Sequence, residues 1–289
     1  MNWKKDIESF LGKIKGEKTD IITISKMGGG SINEAYHIKT AKDDYFIKMN
    51  VAGLYPLMFE KEATGLKLLK NQGVIYVPET IGTGVVGNMA FLILEYIPGS
   101  VTDNSFWKTF GKQLAALHNV NEYNYGFEED NYIGSLEQKN NWKERWSEFF
   151  IEMRLQPLLK TAFNNHLLEK KDLLLFESFY KKTTEIFPEE KPSLLHGDLW
   201  SGNYISMRDS VPVLIDPAVY YGHREMDIAM SKLFGGFDQL FYSTYNEVYP
   251  LEKGWEKRID YCNLYPLLVH VNLFGGSYVA SVRNIIKTF

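Results

Sequence analysis

The chain predicts an α+β fold of two lobes: an N-terminal five-stranded antiparallel sheet with one helix over residues 1–96, then a mainly helical part over residues 97–289. Three observations lead there. Before residue 96, five short apolar and β-branched runs are separated by turn residues and enclose one helical run, the pattern of a small sheet with a helix laid on it. At Ile97-Pro98-Gly99 the pattern breaks, and beyond it apolar residues recur three and four apart, the period of buried helices. A length of 289 residues, 45% apolar and 24% charged, suffices for two substantial cores.

The elements follow in chain order. Met1 to Leu11 reads as a short amphipathic helix without the continuous apolar run of an export signal. Ile21 to Ile24 reads as a strand, Lys26 to Ser31 as a glycine-rich turn and Asn33 to Ile38 as the partner strand. Asp44 to Met49 is a third strand with one lysine, Lys48. A helix from about Leu57 to Lys70 carries Met58, Ala63, Leu66 and Leu69 on one stripe, with Glu60 and Glu62 in its first turns, where acids suit the helix dipole. Val77 to Ile81 and Ala90 to Tyr96 complete the sheet.

Past the break, Phe106, Phe110, Leu114 and Leu117 define a helix ending at His118, which reads as a structural helix end. Trp142 to Leu159 and Leu167 to Ile186 are the next helices, and Arg154 in the first is either a structural ion-pair partner or an anchor for the catalytic loop or a substrate oxygen. The run Pro217 to Asp227 enters a helix through Leu233. Leu264 to Ala280 reads as a buried core helix and its end, because Pro266, His270, Asn272 and Gly275-Gly276 interrupt it short of a membrane span of ~20 apolar residues.

The chemistry is concentrated in Leu194-Leu195-His196-Gly197-Asp198-Leu199-Trp200-Ser201-Gly202-Asn203 and in Ile215-Asp216. In the catalytic loop of protein kinases, His-Arg-Asp-Leu-x-x-x-Asn, the Asp receives the proton of the substrate hydroxyl and the Asn holds Mg²⁺, as does a later Asp. His196, Asp198 and Asn203 keep that spacing, and Asp216 closes the apolar run from Val211. An Asp and an Asn at the ends of a tight loop can face one point, and a hairpin can return a second carboxylate to it. The same residue types also make plain turns, but His-Gly ahead, a strand behind and Asp216 at its end favour a site. The reading is a phosphotransferase acting on a hydroxyl, with Asp198 as the base, Asn203 and Asp216 as metal ligands, and ATP and Mg²⁺ as the cofactors.

That reading assigns roles upstream. Gly28, Gly29, Gly30 and Ser31 would cover a nucleotide, since backbone N–H groups without Cβ neighbours approach phosphate oxygens; the run equally suits a hairpin turn. Lys48 matches the strand lysine that holds phosphates, or is an edge lysine that discourages aggregation. Glu62, in preference to Glu60, would hold Lys48 in place, and the backbone at Glu95, Tyr96 and Ile97 would meet adenine. Tyr220, Tyr221 and His223 either shape an acceptor pocket or belong to the core.

Other chemistries fail on their own terms. A net charge of −4 with no long basic run offers nothing to a nucleic acid, and a single cysteine, Cys262, excludes an internal disulfide and a four-cysteine zinc site and fits a reducing cytoplasm. The six histidines show no His-Glu-x-x-His spacing, no Gly-x-Ser-x-Gly elbow exists, and the glycine-rich turn lacks the Gly-Lys-Ser/Thr of a Walker A loop.

From about residue 28 to 276 the chain resembles the fructosamine kinase (ketosamine-3-kinase) family. The resemblance is carried by Leu194 to Asn203 with Trp200, Ile215-Asp216-Pro217-Ala218, Tyr221-Gly222-His223 and Phe234-Gly235-Gly236-Phe237. Gly29 to Glu34, Ile47-Lys48-Met49-Asn50, Tyr125-Gly126-Phe127, Asn131 to Leu136, Phe149-Phe150 and Arg154-Leu155 match as well. His-Gly-Asp alone is shared with aminoglycoside and choline kinases. The resemblance implies a bilobal protein-kinase-like fold and ATP-dependent phosphorylation of ketosamines, fructosamine or ribulosamine adducts, at the sugar 3-hydroxyl. The products decompose and free the amine, so glycation is reversed, on small molecules or on glycated proteins. It also places His196, Trp200, Tyr221 and His223 on the substrate side, Trp200 against the sugar. Several members carry a cysteine where this chain has Ser31, so redox-linked dimerisation through that loop is not expected. An aminoglycoside- or choline-type kinase and a catalytically silent ATP-binding protein are the alternatives.

Overall fold

The computed structural model describes residues 3–28 and 32–289. Helix α1 (Lys4–Lys15) precedes strands β1 (Thr23–Met27), β2 (Glu34–Lys39) and β3 (Asp44–Val51), helix α2 (Met58–Asn71), and strands β4 (Thr80–Val86) and β5 (Met89–Glu95). The five strands form one antiparallel sheet in the order β1-β2-β3-β5-β4, as expected. Side chains alternate across a strand, and β3 uses both faces. Tyr45, Ile47 and Met49 join Ile7 and Leu11 of α1 in a core on one face, while Phe46 and Lys48 point to the other.

Two strands differ from the expected spans. Ile21 is buried before the sheet starts, its N–H bonded to Glu8 Oε1 at 2.9 Å, and β1 runs instead through the polar edge residues to Met27. β4 starts later than the expected Val77 and runs past the expected end at Ile81 through Gly82 and Gly84 to Val86. Aromatic rings occupy the space a side chain would need: a Cβ on Gly82 would stand 2.7 Å from Phe10 Cζ, and one on Gly84 2.7 Å from Phe91 Cζ.

The rest of the chain is mainly helical. Helix α3 (Asn104–His118) starts at Asp103, whose carboxylate accepts from Phe106 N at 2.7 Å, and buries Phe106, Phe110, Leu114 and Leu117. A short hairpin, β6 (Asn131–Ile133) and β7 (Leu136–Gln138), follows. The expected helix from Trp142 is α4 (Trp146–Phe149), a π-helical turn (Phe150–Leu155) and α5 (Gln156–Asn164) in succession. The expected helix over Leu167 to Ile186 splits into α6 (Lys170–Tyr180) and α7 (Thr183–Ile186). Strand β8 (Ser193–Leu195) pairs with β11 (Tyr220–Gly222), and β9 (Tyr204–Met207) with β10 (Val211–Leu214). Helices α8 (Glu225–Leu233), α9 (Gln239–Val248), α10 (Trp255–Phe274) and α11 (Ser277–Ile286) close the chain, and the expected helix over Leu264 to Ala280 is the second half of α10 and the start of α11, parted at Gly275-Gly276. Leu66 and Leu92 share one continuous buried cluster with Phe110 and Leu194, so the sheet and the helical part are packed together. Among the described residues no helix is long and apolar enough to cross a membrane.

Candidate active site

The segment Leu194–Asn203 joins β8 to β9, and local geometry fixes its course. Gly197 has φ 83 and sits against the Ala218 carbonyl, where a Cβ would collide; Gly202 passes under the Trp200 ring. The β9–β10 hairpin returns the chain so that Ile215 N donates to Asn203 O at 3.1 Å, which brings Asp216 beside the loop.

A buried carboxylate clamps the loop from behind. Asp227, in the first turn of α8, accepts from His196 N at 2.8 Å, from Gly197 N at 2.9 Å and from His118 Nε2 at 3.2 Å, while His118 Nδ1 meets the Tyr245 hydroxyl at 2.8 Å. Burial alone would raise the Asp227 pKa, but the His118 hydrogen bond and charge and the loop N–H groups hold it below the ordinary carboxylate value. His118 is therefore more than a helix end: it ties α3 to the loop.

On the cleft side, Asn203 Nδ2 donates to Asp198 Oδ2 at 2.8 Å and to the Asp198 carbonyl at 2.9 Å. Lys48 Nζ is 2.8 Å from Glu62 Oε1 and 2.5 Å from Asp216 Oδ1, so Glu62 rather than Glu60 is the helix acid at the lysine. Burial opposes a charged lysine, yet the Asp216 and Glu62 carboxylates outweigh it and raise the Lys48 pKa. Burial pushes the Asp198 carboxyl up to about 7 against the pull of the Asn203 bond, and the Asp216 and Asp227 charges add to the rise.

These groups border a cavity of about 530 Å³ between the sheet and the helical part. Glu95, Tyr96 and Ile97 line it, as does Gly28; Gly29, Gly30 and Ser31 lie outside the described residues. The Glu95 carboxylate accepts from the Tyr76 hydroxyl at 2.9 Å and from Glu79 N at 3.1 Å, and the Glu95 N–H donates to Glu79 O at 2.9 Å. Trp200 and His270 also line the cavity and both pack on Phe234, with ring centroids 6.0 and 4.8 Å away. In sequence His270 has no assigned site role. Its Nδ1–H donates to Pro266 O at 2.8 Å, and burial lowers its pKa from the ordinary histidine value. The one sequence signal was a polar residue interrupting an apolar helical run.

Four expectations are corrected. His223 is fully buried between Trp146 and Phe187, so it belongs to the core and not to an acceptor pocket. Tyr221 pairs with Leu194 on β8 and stacks on Trp142, 6.2 Å away, and does not line the cavity. His196 is buried too: Nε2–H donates to Ile215 O at 2.9 Å and Nδ1 accepts from Asp198 N at 3.3 Å, so it shapes the loop instead of touching a substrate. Arg154 has no carboxylate partner among the described residues; Lys139 O and Asn140 Oδ1 accept from it, and it lies 3.9 Å over the Tyr220 ring.

Among the described residues no three His, Cys, Asp or Glu side chains gather as a metal cage. Asn203 Oδ1, opposite the Nδ2 spent on Asp198, and the Asp216 carboxylate are hard oxygen donors. Two such donors suit Mg²⁺, which keeps waters and takes phosphate oxygens for the rest of its sphere.

The fructosamine kinase family model matches residues 3–289. A protein named probable ketoamine kinase from Vibrio parahaemolyticus is 42% identical over 266 residues, 89% of each chain. A chloroplastic protein-ribulosamine 3-kinase from Arabidopsis thaliana is 38% identical over 95% of this chain and 85% of its own. The crystal structure of a protein assigned as a fructosamine-3-kinase, from Haemophilus somnus, superposes with a TM-score of 0.90 at 33% identity, covering 98% of this chain and 96% of that one. The fold is thus the bilobal protein-kinase-like one, and the chain belongs to the fructosamine kinase family.

Proposed function

We propose that the protein transfers the γ-phosphoryl group of ATP to the sugar 3-hydroxyl of a ketosamine, a fructosamine or ribulosamine adduct, in a Mg²⁺-dependent reaction. The observation that carries the proposal is the convergence of Asp198–Asn203 and Lys48–Glu62–Asp216 on one cleft. Asp198 is held by Asn203 with a raised pKa, the condition for a carboxylate that receives a proton near neutral pH. As the hydroxyl oxygen bonds to the γ-phosphorus, the bond to the β,γ-bridging oxygen breaks, ADP departs and the hydroxyl proton passes to Asp198. Lys48, oriented by Glu62, would hold the phosphates, and Glu95 to Ile97 the base. Asn203 and Asp216 would hold Mg²⁺, which supplies neutralisation of phosphate charge when bound. On this reading residues 1–96 bind the nucleotide and residues 97–289 supply the base and the acceptor site.

The acceptor side supports a sugar. Trp200, His270 and Phe274 line it, and of the cleft carboxylates Glu62 and Asp216 are paired with Lys48. Membership of the fructosamine kinase family, with ketoamine and ribulosamine kinases as relatives, is why an aminoglycoside or choline acceptor is not favoured. The phosphorylated product would decompose and free its amine, so the role is deglycation, in the cytoplasm.

The test is ADP release with Mg²⁺ and the fructosamine and ribulosamine of lysine, beside kanamycin and choline. Release with a ketosamine, lost in Asp198→Asn, is expected. Release with kanamycin or choline alone would overturn the acceptor assignment, and an undiminished Asp198→Asn would overturn the base.

A further inference from the structure

We propose that the β6–β7 hairpin is the positioning element for Asp216, with Gln138 and Asn131 as its working residues and Tyr132 as its link to α2. The inference rests on the reading of Asp216 as a metal ligand given above.

Residues 216–219 lie between β10, which ends at Leu214, and β11, which starts at Tyr220, and Pro217 has no N–H to give. Strand pairing therefore does not hold this segment. Asp216 has φ 56, a left-handed conformation uncommon for a residue with a Cβ, and such a backbone persists where its surroundings over-determine it. The hairpin does this downstream of Asp216. Gln138 Nε2 donates to Ala218 O at 3.1 Å, and Asn131 Nδ2 donates to Val219 O at 2.8 Å.

Both amides are themselves fixed. Asn131 Oδ1 accepts from Gln138 Nε2 at 2.7 Å and from Asn140 Nδ2 at 3.0 Å; Tyr265 OH donates to Gln138 Oε1 at 2.5 Å, and Arg154 Nη2 to Asn140 Oδ1 at 2.8 Å. All five side chains are at most 5% exposed. Polar groups at that depth are costly unless they are hydrogen-bonded, and every side-chain amide nitrogen and oxygen named here has a partner, the network ending on the two carbonyls that follow Asp216-Pro217. The Ala218 N–H in turn donates to His196 O at 2.9 Å, which joins the segment to the loop of Asp198.

The same hairpin reaches the other lobe. Tyr132 OH donates to Pro56 O at 3.0 Å just before α2, and Lys61 Nζ stands 5.5 Å over the Tyr132 ring, one residue from Glu62. One short element thus touches the segment of Asp216 and the helix of Glu62, the two carboxylates that meet at Lys48.

Gln138→Met keeps the length of the side chain and removes its donated bonds; Tyr132→Phe removes one hydroxyl from a partly exposed ring. Both are examined as folded protein well below the melting temperature. For Gln138→Met we expect hydrogen exchange to rise in residues 214–222 and not in α10, and Mg²⁺·ADP affinity by calorimetry to fall about 10-fold, as for a lost support of a metal ligand. Acceptor KM should stay within about two-fold, because uniform binding of the acceptor is untouched. For Tyr132→Phe, exchange should rise over residues 54–62 with a loss of nucleotide affinity of about 3-fold, the value of one modest hydrogen bond. Wild-type exchange and affinity in both variants, or a rise in exchange spread evenly over the chain, would overturn the proposal. If Gln138→Met does not fold, Tyr132→Phe decides. If the wild type binds no Mg²⁺·ADP, the metal assignment fails, while exchange over 214–222 still judges the hairpin.

Discussion

Asp198 is where stability and chemistry pull apart. Its carboxyl is raised to about 7, so the folded state holds a proton that the unfolded chain, near the ordinary Asp value, has released. Stability contributed at Asp198 is therefore lost as pH rises from about 4 through 7. Asp198→Asn keeps an oxygen for Asn203 and discards the buried charge. We expect turnover to fall by at least about 10³-fold, while the melting temperature rises above wild type at pH 8 and matches it near pH 4. A variant less stable than wild type at pH 8 would contradict this account of the site. For catalysis the sign is reversed: the base works deprotonated, so kcat/KM should climb with pH along an acidic limb well above the ordinary Asp range. The types and spacing of His196, Asp198, Asn203 and Asp216 were legible in the sequence because covalent spacing constrains a loop and its return hairpin. The misplacement of Tyr221 and His223 has an equally plain cause, since the face a residue takes in a three-residue strand such as β11 is set by its neighbours in space.

At the scale of elements, the loop is only as well placed as what holds it. Asp227→Asn keeps one oxygen acceptor and turns an amide NH2 toward the remaining N–H donors, and leaving a buried donor unsatisfied costs about 1–3 kcal/mol, so the melting temperature should drop by roughly 2–4 °C per kcal/mol in a chain of this size. Because the Asp227 pKa is lowered, its contribution is present above the unfolded Asp value and fades as pH falls through the folded one. The wild-type advantage over Asp227→Asn should therefore shrink on acidification, as thermal melts across pH will show. Strand β4 makes a second case. Gly82→Val would drive a side chain into the Phe10 ring and should cost about 1–3 kcal/mol by denaturant titration, whereas a glycine that merely broke a strand would give stabilisation instead. In sequence this strand reads as ending at Ile81, because the rings that fill the space beside Gly82 and Gly84 come from α1 and from β5 and leave no local mark.

For the molecule as a whole, nucleotide binding should be visible as stability. A ligand held by both the sheet and the helical part adds about 2.7 kcal/mol at one hundred times its Kd, so Mg²⁺·ATP should raise the melting temperature, and Lys48→Met should abolish the rise. Thiol chemistry should not intrude. Cys262 is fully buried, with burial raising its pKa, so neither dithiothreitol nor a thiol-blocking reagent should alter the activity of the native protein. Labelling of Cys262 without loss of structure would contradict that expectation.

What the sequence determined by itself was periodic or local: the strands and helix of the N-terminal sheet, the α3 helix, the break after Tyr96, and the loop from His196 to Asn203 with Asp216 behind it. These follow from side-chain period, turn chemistry and covalent spacing, which act within a few residues. Only the tertiary structure decided the choices between distant groups. It bound His118 and Asp227 to the loop, buried His223, set Arg154 on Asn140 and placed Gln138 on the carbonyl after Pro217. Those partners are from 14 to 109 residues apart, and no local rule records which buried donor will meet which acceptor once the core has closed.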